Sequence, residues 1–262
     1  MATTEREPVY IFHIYRREGT SLFLHPFLSP EKLVAHMEKS FVEGRYGLEP
    51  RVEALTLFRN DLYRQVEAGV RSWLNDVRFI PKFLISTGVF LLVYFFLSYV
   101  ILDPIPVLDE LAGGLGASIL SYILLGKRDL ASQRAAQKRL ALRVAVDRIV
   151  FRDSPFVKRV EETLHRHEAE GIEEVIRRIV EPAQQVLESP LKAEALQFLD
   201  LLESRFNFKR LKREERVFKR YVKDRQRIVH SRNLRRIIQA KKLDFSLYAV
   251  YKSFKKTVAQ FN

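Results

Sequence analysis

The chain has 262 residues, 47% of them hydrophobic, no cysteine and a formal net charge of +13. That length and apolar content suffice for one large core or two small ones. The missing cysteines exclude a disulfide framework, a thiolate nucleophile and a thiolate metal site. Charge and apolarity are segregated: residues 83–102 hold no charged side chain, whereas most Lys and Arg lie far downstream.

In chain order, MATTEREPVY has no basic stretch leading into an apolar core, so it does not read as a secretory signal, and it is too acidic for a mitochondrial transit peptide. Any insertion signal is expected to be internal. VYIFHIYRREGTSLFLHPFL predicts two short strands about a turn at Glu18-Gly19-Thr20. SPEKLVAHMEKSFVEG follows as a helix with Ser29 as its cap and Pro30 at its first position, which makes residues 1–48 a ββα element.

Residues 49–82 predict an amphipathic helix leading to the membrane, with Val52, Leu55, Leu62, Val66, Trp73 and Val77 on one stripe. Pro81 removes an amide and predicts a kink at the bilayer surface. Residues 83–126 predict a transmembrane helical hairpin. The first span, 83–102, is uncharged and as a helix about 30 Å long, the thickness of a bilayer core. The second, 105–126, contains LAGGLGASILSYILLG, where Gly113, Ala117 and Ser121 recur at every fourth position as a small-residue face for close helix packing.

The outer loop 103–110, DPIPVLDE, is acidic and too short to join anything but antiparallel neighbours. Arg64, Arg71, Arg78 and Lys82 precede the hairpin, and Lys127, Arg128, Arg134, Lys138, Arg139 and Arg143 follow it. Positive flanks and an acidic loop predict two spans in a cell or inner membrane with both termini cytoplasmic. Beyond the second span, Ala131, Ala135, Leu142, Val146 and Ile149 continue at helical spacing, so the hairpin is expected to extend as an antiparallel stalk. Residues 127–206 predict a cytoplasmic helical region, divided near Gly171, the Ser189-Pro190 step and Asn207.

Between residues 207 and 242, fifteen Lys or Arg face three acids, which accounts for +12 of the chain's +13. Leu211, Phe218, Tyr221, Val222, Ile228 and Val229 trace an apolar stripe through this segment, interrupted at Arg225. Residues 207–262 therefore read as a basic helical segment, and the contacts expected for a lipid surface or polyanion are Lys209, Arg210, Lys212, Arg213, Arg216, Lys219, Arg220, Lys223, Arg235 and Arg236. Anionic lipid fits such a helix beside a bilayer. A phosphate backbone fits it less well on a membrane-anchored chain, and packing of the apolar side on the helical region with a solvated basic face is the plainest reading.

Asp103, Asp109 and Glu110 would form an acidic pore mouth if hairpins assembled in a ring, with Thr87, Tyr94 and Ser98 as a polar stripe along the first span. Acids in an outer loop and hydroxyls in a span are also what topology and helix packing alone produce. Glu161, His165, His167 and Glu168 do not converge as metal ligands and read as a solvated helix face. His13 and His25 lie on the two predicted strands and read as packing or surface groups. No phosphate-binding loop, dinucleotide fingerprint, zinc-protease or nucleophile-elbow motif is present.

The sequence thus predicts a mainly α protein: a two-span transmembrane hairpin, a cytoplasmic helical bundle or stalk and a small N-terminal ββα element. It is read as an interaction or scaffold protein rather than an enzyme, with no cofactor, metal or small-molecule substrate inferred. Its expected partners are the bilayer and, for the basic segment, anionic lipid or an acidic partner, with a homo-oligomeric cation channel as the alternative and a tethered nucleic-acid binder as a second.

Overall fold

The computed structural model describes residues 8–100, 107–183, 191–225 and 227–259. It is mainly helical with a small sheet, and it divides into two compact units, one formed by residues 8–26, 40–58 and 149–259, the other by residues 27–39 and 59–148.

The first unit is built on strands β1 (Val9–Tyr15), β2 (Ser21–Leu24), β3 (Val42–Tyr46) and β4 (Phe151–Asp153), in the order β2-β1-β3-β4. The β1–β2 hairpin is antiparallel about Gly19 as expected, pairing Phe12 with Leu24 and Tyr15 with Ser21. The expected two-stranded element is nevertheless incomplete. β3 runs parallel to β1, pairing Ile11 with Gly44, and β4 runs parallel to β3, pairing Gly44 with Phe151. A two-stranded ribbon cannot bury enough apolar surface to persist alone, and the added strands supply the missing pairing.

Alternation along β1 divides its side chains between the two faces. Tyr10, Phe12 and Ile14 join the main core with α5 (Pro155–Ala169), α6 (Ile172–Val180), α7 (Lys192–Phe206) and α10 (Phe245–Val258). On the other face Phe23 stacks on Phe58 with ring centroids 4.4 Å apart, and Phe151 meets both rings edge-on. The C-terminal part of the predicted basic segment, α10, is in fact central to the core. Leu247, Tyr248, Ala249, Val250, Tyr251, Phe254 and Val258 are all buried, and an apolar surface this wide belongs inside, with Lys252, Lys255 and Lys256 confined to one edge of the helix.

The second unit contains α1 (Pro30–Lys39), α2 (Val52–Val100) from residue 59 onward, α3 (Val107–Leu130) and α4 (Gln133–Asp147). α2 and the α3–α4 pair are antiparallel. Along them Tyr63 hydrogen-bonds Asp147, Glu67 pairs with Arg139 and Arg143 at 2.8 Å each, Lys138 lies over Trp73, and Lys82 pairs with Asp129 at 3.3 Å. Leu62, Val66, Val70 and Leu74 are buried on α2, and Ala135, Leu142 and Val146 on α4. The stripe is rotated from its expected position: Val77 and Val52 are exposed and Trp73 is half-buried under its cations. α1 closes this packing, with Leu33 buried, Val34 and the Pro30 carbonyl against Gly69, and Glu38 paired with Lys138.

Helix α2 continues through Pro81 without a break. The interruption comes instead after α3, at Ala131-Ser132, where Ser132 caps α4 by accepting from the Ala135 amide. Two helices, Val52–Tyr99 and Leu108–Leu130, are long and apolar enough to cross a membrane. The beginning of the second predicted span and the first half of the outer loop, residues 103–106, lie outside the described residues, while residues 107–110 of that loop are the first turn of α3.

Candidate functional site

Within residues 207–242 the backbone turns repeatedly. Asn207 ends α7 in the left-handed region, a 3₁₀ turn covers Phe208–Lys212, α8 spans Glu215–Lys223, a second 3₁₀ turn covers Ile228–His230, and α9 spans Arg232–Lys241. Arg225 and Lys242 also have positive φ, 48° and 42°. One continuous amphipathic helix is therefore replaced by short pieces. Phe208, Leu211, Phe218, Tyr221 and Leu234 anchor them in the core, and Val229, placed on the stripe by spacing, is 67% exposed.

With the apolar side chains turned inward, the cations face water. Lys209, Arg210, Lys212, Arg213, Arg216, Lys219, Arg220, Lys223, Arg235 and Arg236 are all exposed. Lys241 pairs with Glu214 at 2.6 Å, Lys209 lies 3.9 Å from Glu203, and Arg235 donates to the Val229 carbonyl. Arg210, Lys212, Arg213, Arg216, Arg220 and Arg236 have no carboxylate within ion-pair distance among the described residues. Such a face has unspent capacity for an anionic surface, because its cations need not abandon internal partners to engage one.

Beside this face, α6, α8 and α10 enclose a cleft of about 280 Å³. Ile179 and Phe218 form its buried apolar floor, and Lys219, Lys252, Lys255 and Lys256 stand around it. Burial pushes the Glu215 carboxyl up, but hydrogen bonds from Lys252 and Tyr248, 2.9 Å each, more than offset this and hold it below the usual range. Glu203 is likewise kept low against its burial by Lys255 and Tyr251. These lysines were absent from the sequence-based candidates apart from Lys219, because Lys252, Lys255 and Lys256 lie on a helix dominated by aromatic residues.

The hairpin positions are dispersed. Asp103 lies outside the described residues, Asp109 is exposed, and Glu110 is 2% exposed with one carboxylate oxygen lacking a hydrogen-bond partner. Thr87, Tyr94 and Ser98 are half-buried. Gly113 faces Leu97, with space for only 2.6 Å between that side chain and an added Cβ, whereas Ala117 and Ser121 are half-buried beside a groove. Gly114, outside the predicted set, packs against Phe90.

The cluster at α5 is not the solvated face expected. Glu161 is 2% exposed and accepts from the amides of Tyr15 and Leu48, 2.8 Å each, at the ends of β1 and β3. Burial holds its carboxyl above the usual range against those two donors. His165 donates to the Tyr15 carbonyl at 2.7 Å, buried His167 contacts Glu170 at 3.0 Å, and Glu168 pairs with Arg16 at 2.6 Å. α5 thus clamps the strand ends, and the described residues contain no group of three or more metal-ligating side chains. His13 and His25 pack on Phe23 and Phe58 respectively.

Comparison with protein-family models, curated proteins and solved structures found no match.

Proposed function

We propose that this chain is an integral membrane interaction protein, anchored by the α2–α3 hairpin, whose basic face engages anionic lipid headgroups. The observation that carries the reading is the apolar surface left open on the hairpin. Only 11% of the most apolar window of each helix is buried, and Leu92, Phe95 and Leu120 are 70%, 63% and 59% exposed. A core helix of a soluble protein would have these side chains covered, whereas hydrocarbon covers them here.

The exposed cations of α8 and α9 supply the second half of the reading. Each Lys or Arg near an anionic leaflet contributes about 1 kcal/mol, and the anchor keeps the local lipid concentration high. A pore mouth has less support, since Glu110 is buried rather than turned toward water.

The test uses the full chain with Asn233→Cys, carrying an environment-sensitive fluorophore on the basic face, in nanodiscs. The protein has no other cysteine. It should remain with membranes through an alkaline wash. Its emission should shift to the blue when phosphatidylserine replaces part of the phosphatidylcholine, and the shift should reverse at 1 M salt. Release by the wash would defeat the anchor, and emission indifferent to phosphatidylserine would defeat lipid contact. A response to added RNA or DNA alone would make nucleic acid the partner.

A further inference from the structure

We infer that the cleft between α6, α8 and α10 is a binding site for a phosphate monoester group. Four lysines line a concavity of about 280 Å³ with the Glu215 carboxylate, and Glu203 pairs with Lys255 from outside the lining, which leaves two positive charges uncompensated. That charge fits a doubly negative group, and the volume, at the small end of ligand sites, fits a compact one. Ile179 and Phe218 exclude water from the floor of the cleft, which strengthens the half-buried Lys252 most, while Lys219, Lys255 and Lys256 stand exposed at its rim.

The lysines divide into two kinds. Lys252 is fixed by Glu215, and Lys255 by Glu203 and the Tyr251 hydroxyl, while Tyr248 steadies Glu215 from its buried position. These contacts set two ammonium groups beside the cleft before any ligand arrives, which lowers the ordering cost of binding. Lys219 makes no hydrogen bond or close ion pair among the described residues and acts on Glu215 only through its charge, and Lys256 reaches the Pro182 carbonyl at 3.3 Å. Both are free to close on a ligand. Lysine engages phosphate as a point charge with several rotatable donors, so a converging set suits the tetrahedral group better than a planar carboxylate.

The inference does not rest on lipid contact by the basic face and fails separately from it. Two sources could supply the group: a soluble phosphate ester or a phosphatidic acid headgroup. Full-length protein in phosphatidylcholine nanodiscs would be titrated with glycerol 3-phosphate by calorimetry, and detergent-solubilised protein would be examined by native mass spectrometry for retained phosphatidic acid against phosphatidylcholine. Saturable one-to-one binding in the first arm assigns a soluble ester, and selective retention only in the second assigns the headgroup. Either signal should fall at least ten-fold in Lys219→Gln/Lys256→Gln and stay unchanged in Lys32→Gln/Lys39→Gln, which removes the same charge from two exposed lysines of α1. No binding in either arm, full binding by the cleft variant, or an equal loss in the second variant would overturn the proposal.

Discussion

At Glu161 a single carboxylate finishes the hydrogen bonding of two strands. Replacing it with Ala leaves the partly buried Tyr15 and Leu48 amides without their acceptor, which costs about 2 kcal/mol. Thermal unfolding in detergent should show this for Glu161→Ala, while Glu162→Ala, exposed on the next position of α5, should shift stability by less than about 0.5 kcal/mol. Gly47 belongs to the same arrangement: a Cβ there would lie 2.3 Å from a Glu161 oxygen and 2.9 Å from the Lys158 backbone. His13 gives the unit a dependence on acid. Burial lowers its pKa from 6.5 to about 4, so the unfolded chain binds the proton more tightly than the folded one. Its contribution is complete above pH 6.5 and is lost as pH falls toward 4. His13→Gln should lose less of its melting temperature between pH 6.5 and 5 than the parent protein, whatever its stability at neutral pH.

Among the elements, those whose sequence carries its own signal were legible: the β1–β2 hairpin with its alternation and turn, α1 with its Ser29-Pro30 entry, and the two apolar helices. β3 and β4 were not. Val42–Tyr46 contains a glycine and two charges, and Phe151–Asp153 is three residues long, so each becomes a strand only through the neighbour it pairs with. The basic segment misled in another way. Its spacing fits one helix, but Phe208, Leu211 and Leu234 each reach the core, and the chain meets that demand by turning at Arg225 and Lys242. The basic face was legible from charge alone, since Lys and Arg go outward wherever the backbone leads. The cleft was not, because Lys219 and Lys252 lie on separate helices that only the packing of α10 brings together.

At the scale of the molecule, the sheet is assembled from chain on both sides of the apolar hairpin, since β3 precedes α2 and β4 follows α4. Strands paired in one sheet cannot lie on opposite sides of a bilayer, so the proposed anchor requires an even number of crossings between β3 and β4. Single-cysteine variants carry the expectation into experiment. In sealed, right-side-out vesicles an impermeant maleimide should label Asp109→Cys and spare Asn233→Cys, with the pattern exchanged in inverted vesicles. Labelling of both from one side would remove the two-span topology. The same arrangement orders events during synthesis. When β1, β2 and β3 leave the ribosome, the strand that covers the β3 edge and the helices that cover Phe12 have yet to be made, and about a hundred residues separate β3 from β4. The nascent chain must therefore keep a sticky, half-built sheet from pairing with its neighbours until the second half of the chain is made, so a message cut short inside the apolar region leaves β1 and β3 with an uncovered edge and an uncovered face.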